Sequence, residues 1–190
     1  MAKDLTVIIE QTNNTTMRNM SKLLATGLTA VALFIGTNVN AQTNAKSAWR
    51  LGFGIEGGIP TGDIKDYSNF QLGGTARLQY GAADNLAVTL TSGYYNFFAK
   101  SAYSDAGFKD AGVVPVKLGI KTFFTDNLYF GAEAGAGFET NKGGDTKLLL
   151  SPALGWADKT WDFGVKYENF SGQGNNYGAV GLRIAYGFGL

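Results

Sequence analysis

Neither cysteine nor histidine occurs among the 190 residues. Without them the chain cannot build a disulfide, a thiolate nucleophile, a Ser-His-Asp triad or the usual zinc site. Excess charge is missing too: 16 basic residues stand against 15 acidic ones, so no basic field exists to attract nucleic acid. Proline is scarce, with three residues, and the one long apolar run lies near the N-terminus. Glycine and aromatic rings are abundant instead, with 27 Gly, 13 Phe, 9 Tyr and 3 Trp.

The apolar run reads as an export signal. Arg18 and Lys22 supply a positive start, and residues 23–36 form a mainly apolar stretch. That length falls short of the roughly 20 residues a membrane-spanning helix needs. Val39-Asn40-Ala41 offers small residues where a signal peptidase cuts, which predicts cleavage after Ala41. The chain therefore divides into an N-terminal extension and signal peptide (1–41) and a single domain (42–190), with Met17 and Met20 as alternative translation starts. Removing Lys3, Arg18 and Lys22, and Asp4 and Glu10, leaves 13 basic and 13 acidic residues in the exported part.

From there the dominant pattern is alternation. In the last eleven residues Val180, Leu182, Ile184, Tyr186, Phe188 and Leu190 alternate with Gly181, Arg183, Ala185, Gly187 and Gly189. Successive side chains of a strand point to opposite sides, so this is a strand with one apolar face. Eight such segments follow one another: 48–59, 70–80, 86–96, 113–124, 128–139, 148–156, 161–170 and 178–190. Each is near the 9–11 residues of a tilted membrane-crossing strand. Short connections with turn chemistry (81–85, 125–127, 157–160) alternate with longer ones (60–69, 97–112, 140–147, 171–177). This is the loop asymmetry of an up-and-down outer-membrane barrel.

The two faces differ in kind. One carries Trp49, Leu51, Phe53, Ile55, Leu72, Leu78, Val88, Leu90, Val116, Leu118, Ile120, Leu150, Leu154 and Val165, without a charge. The other carries Arg50, Glu56, Arg77, Lys117, Lys121, Glu133, Glu139, Asp162, Lys166, Glu168 and Arg183 among glycines. A secreted ligand-binding barrel would use the same alternation inverted. Two features favour the apolar face outside. Its aromatic residues gather at strand ends, with Trp49, Tyr80, Phe124, Phe130, Trp156, Trp161, Phe163 and Phe188 near the short turns. Phe70, Tyr94, Phe138 and Tyr167 lie near the long loops, an aromatic girdle at each interface. Charges of both signs share the other face, where enclosure forces them to pair. Pro152, in mid-segment, predicts a bulge or short irregularity. Gly52-Phe-Gly54-Ile-Glu-Gly57 matches the dinucleotide fingerprint formally, but no helix follows it and it reads as strand. The acid pairs Glu133/Glu139 and Asp162/Glu168 read as salt-bridge partners rather than general bases.

Residues 49–63, 114–138 and the closing strand resemble the small outer-membrane β-barrel domain family of the OmpA/OmpX-like, porin type. The resemblance implies an all-β, eight-stranded antiparallel up-and-down transmembrane barrel, inserted by the outer-membrane assembly machinery with periplasmic chaperones. It implies no catalytic, cofactor or metal residues. The expected role is structural or surface-interacting, with the lumen plugged by charge; a narrow channel for ions or small solutes is the alternative.

Overall fold

The computed structural model describes residues 46–190 apart from Phe108 and Gln173. The expected signal peptide and its cleavage after Ala41 lie outside the described residues. The strands are β1 (Trp49–Gly62), β2 (Ser68–Ala83), β3 (Leu86–Ala99), β4 (Ala111–Phe123), β5 (Leu128–Glu139), β6 (Thr146–Ala157), β7 (Trp161–Ser171) and β8 (Tyr177–Gly189). Each pairs antiparallel with its sequence neighbour, and β8 returns to β1 to close the barrel. The closing seam runs from Arg50↔Gly189 to Gly62↔Tyr177. Closure removes the sheet edges whose N–H and C=O groups would be unsatisfied in hydrocarbon.

Alternation decides which way each side chain faces. Leu118 and Leu182 stay exposed, at 62% and 60%, while Lys117, next to Leu118 in sequence, is fully buried. No outward position of the eight strands carries a charge. No helix among the described residues is long and apolar enough to cross a membrane, which says nothing of the strands.

Several strands run further toward the long-loop rim than the apolar periodicity indicates. Phe97 and Tyr177, placed in loops by the sequence pattern, are strand residues with buried rings. The ladder continues past the lipid-facing stretch because its hydrogen bonds do not depend on outward hydrophobicity. At the rim a 3-10 turn (Asp63–Asp66) and a short helix α1 (Ser101–Ser104) fill two of the loops. Gly62, with φ 70°, makes the exit from β1 in the left-handed region that other residues resist.

The prolines sit where one ladder lapses. Between Leu150↔Asn169 and Ala153↔Lys166 the β6–β7 pairing skips Ser151 and Pro152 without a register change, while Pro152 stays paired to Ala132 on β5. The outcome is an interruption rather than a bulge, since Pro152 has no N–H to offer β7. Pro115 coincides with a similar gap between Ser92↔Val116 and Tyr95↔Val113. Pro60 lies beyond the last β1–β2 pair, Gly58↔Gln71.

Candidate functional site

The barrel interior collects nearly all the ionisable side chains that the strands carry. Glu56 comes from β1, Arg77 from β2, Lys117 and Lys121 from β4, Glu133 from β5, Asp162, Lys166 and Glu168 from β7, and Arg183 from β8. They form one continuous series of alternating sign. Lys121 Nζ lies 2.8 Å from Asp162, and Asp162 lies 3.6 Å from Arg77. Arg77 reaches Glu133 at 3.0 Å, and Lys117 bridges Glu133 (3.3 Å) and Glu168 (2.6 Å). Lys166 joins Glu168 (3.0 Å) to Glu56, which receives Arg183 Nη1 at 2.6 Å.

Neutral donors reach most of the remaining carboxylate oxygens, Glu168 Oε2 excepted. The hydroxyls of Thr75 and Thr91 donate to Glu56 and Glu133, each at 2.6 Å. Tyr129 donates to Asp162 at 2.6 Å. The Tyr95 hydroxyl lies 2.9 Å from Glu56 and 3.1 Å from Glu168. Buried charge is tolerated only with such pairing and hydrogen bonding. Two residues assigned to this inner face stand apart from the series. Arg50 is buried near the short-turn end with no ion pair among the described residues, and its Nε and Nη2 lack an acceptor there. Glu139 sits at the opposite rim, where it accepts from the Tyr177 hydroxyl (2.8 Å) and the Asp145 backbone N–H (2.9 Å).

The interior is not charged throughout, which corrects the picture of ions among glycines. Above the ionic series, toward the long loops, Tyr95, Phe97, Val113, Leu149, Phe170, Tyr177 and Ala179 form a buried apolar layer with Ile64 packed against it. Phe170 and Tyr177 stack at 4.8 Å between ring centroids, and Phe97 meets Tyr177 edge-on at 5.7 Å. At the other end Phe123, Tyr129 and Ala157 make a smaller cluster. Strict alternation hides these residues. Adjacent large pairs such as Tyr94-Tyr95, Phe97-Phe98, Val113-Val114 and Leu149-Leu150 are the signal that both faces become apolar near that rim.

On the outside, Trp49, Phe124, Phe130, Trp156, Trp161 and Phe163 are exposed, and Tyr80 and Phe188 partly so. Neighbouring rings touch: Trp49–Tyr80 at 4.8 Å, Trp156–Phe163 and Trp161–Phe163 at 5.9 Å. Over the apolar layer, a mouth of about 450 Å³ opens among the loops, lined by Asp63, Tyr67, Glu139, Asp145, Lys147 and Tyr177 among others.

A closed eight-stranded barrel, apolar outside and ionic within, is a membrane-spanning β-barrel, because no other solvent suits an uncharged apolar wall on every strand. No family model matches the sequence, and no curated protein matches it either. Among solved structures the chain is similar to Ail, the attachment invasion locus protein of Yersinia pestis. The TM-score is 0.57 at 14% identity, covering 76% of this chain and all of that one. The same protein in a phospholipid bilayer nanodisc gives 0.55 at 16% identity, covering 75% and all. The N-terminal β-barrel domain of Pseudomonas aeruginosa OprF gives 0.51 at 13% identity, covering 78% and all. At these identities the likeness establishes the fold alone, a small closed eight-stranded antiparallel β-barrel shared with these outer-membrane proteins.

Proposed function

We propose that this chain is an integral outer-membrane protein with a closed lumen, serving a structural or surface-interaction role through its long-loop face. One observation carries the reading. Lys117, Glu168, Phe97, Leu149 and Phe170, drawn from four strands, have no exposed surface, so an ionic layer and an apolar layer both lie across any path along the axis. A hydrated solute would have to part several buried ion pairs, each costly to separate in a low-dielectric interior.

The outer wall supports lipid as a partner, and the family resemblance supports the assembly machinery and chaperones. Membrane lipid covers the uncharged outer wall, and the assembly machinery and periplasmic chaperones deliver the barrel after export. The formally neutral exported chain gives nucleic acid no purchase. No catalytic role is proposed for the buried carboxylates, which are occupied by cations and hydroxyls. Planar-bilayer recording of purified, folded protein is the test. The expected record has no reproducible unitary steps; discrete steps would replace this reading with the narrow ion or small-solute channel.

A further inference from the structure

We propose that the short-turn half of the lumen holds one small monatomic anion, of the halide class, among Arg50, Arg77 and Arg183. Inside the spanning region six cations (Arg50, Arg77, Lys117, Lys121, Lys166, Arg183) face four carboxylates (Glu56, Glu133, Asp162, Glu168). The alternating series accounts for all four carboxylates and leaves positive charge in excess. That excess is concentrated. A cavity of about 10 Å³ is lined by Arg50, Arg77 and Arg183, with Asp162 as its one carboxylate.

Asp162 is committed elsewhere: Oδ1 accepts from Tyr129, and Oδ2 accepts from Lys121 at 2.8 Å. Asp158, in the nearby turn, uses its Oδ1 on the backbone N–H groups of Thr160 and Trp161, at 2.7 and 2.6 Å. Arg77 is taken up by Thr91 and Glu133. Three guanidinium nitrogens therefore have no acceptor among the described residues: Nε and Nη2 of Arg50 and Nε of Arg183. They are half of the six buried side-chain polar atoms in that condition. Arg50 and Arg183 are only 6% and 3% exposed, and burying a cation without an acceptor or counter-charge is costly.

The backbone is cut to admit these groups. A Cβ on Gly187 would lie 2.6–2.8 Å from the Arg50 guanidinium, and one on Gly54 would lie 2.9 Å from Arg183 Nη1. The cavity is near the smallest that holds one water, which needs about 10–15 Å³. Its size admits one small body and disfavours a polyatomic sulfate or carboxylate; the unshared donors on two cations, rather than the size, favour an anion there. Such an ion would be a local charge as large as any side chain there. Since it binds only the folded barrel, it would stabilise in proportion to its concentration.

Crystals of the folded full-length barrel grown in bromide test this directly. The expected result is an anomalous peak between Arg50 and Arg183. A map without a peak there overturns the proposal. In parallel, urea unfolding in lipid vesicles is followed at constant ionic strength while chloride replaces gluconate. The midpoint of the unmodified protein is expected to rise with chloride, and that of Arg50→Gln to stay flat. Equal chloride responses in both proteins would mean general salt effects and would also overturn it. Conductance steps in a bilayer would unseat the closed-lumen reading while leaving the bromide result intact, so the two ideas fail separately.

Discussion

At the scale of the residue, pairing decides what a buried charge is worth. Glu56 receives Arg183, Lys166, the Thr75 hydroxyl and the Tyr95 hydroxyl. Replacing it by alanine strands two cations in the interior, and breaking a buried pair from one side costs about 3–5 kcal/mol. Glu139→Ala is the matched control at the rim. It removes hydrogen bonds to Tyr177 and Asp145 from a half-buried carboxylate, which is worth about 1 kcal/mol. Urea unfolding in vesicles should separate the two variants by at least about 2 kcal/mol on these magnitudes. Equal losses would mean that the alternating series is not cooperative with the fold.

At the scale of the element, the turns carry the titration that stands outside the membrane. Asp158 joins β6 to β7, and the two backbone N–H groups it accepts hold its carboxyl below the ordinary aspartate range. A lowered folded-state value means that the ionised form favours folding. That contribution is complete above the unfolded value of about 3.9 and disappears as pH falls through the lowered folded one. Asp158→Ala should therefore destabilise the barrel at neutral pH, with the deficit shrinking in acid below the carboxylate range. Unfolding midpoints across that range check it; a deficit independent of pH would refute the role of the charge.

Strand order, facing and the short turns were legible because alternation and turn chemistry are local. The ends of β3 and β8 were not, because Phe97 and Tyr177 interrupt the apolar-out rule while still satisfying the ladder. Nor could the pattern say which inward charges meet. Lys117 reaches Glu168 across 51 residues, a contact fixed by stagger and closure. Arg50 shares its facing with Arg77 and Arg183 yet makes no ion pair among the described residues, a distinction that only the closed barrel makes visible. The interruption at Pro152 could be anticipated in position but not in kind. A residue lacking N–H disturbs the ladder wherever it falls, and the partner strand decides whether register shifts.

At the scale of the whole molecule, the uncharged outer wall is the feature that fixes the environment, and depth should be readable in its energetics. Leu118 lies in mid-strand and Phe124 just past the end of β4, and both are 62% exposed. In water, two equally exposed apolar residues would respond alike to a charged replacement, with little effect at either site. In a bilayer they diverge. Arginine at the midplane of a lipid-facing strand costs about 2–4 kcal/mol, falling to about 0–1 near the interface. Leu118→Arg should thus lower stability in vesicles by several times the loss in Phe124→Arg, and should reduce the fraction of unboiled protein that migrates as the compact, heat-modifiable form. Indistinguishable behaviour of the two variants would mean that the apolar wall does not face lipid, and with it the enclosed ionic series would lose its reason to be inside.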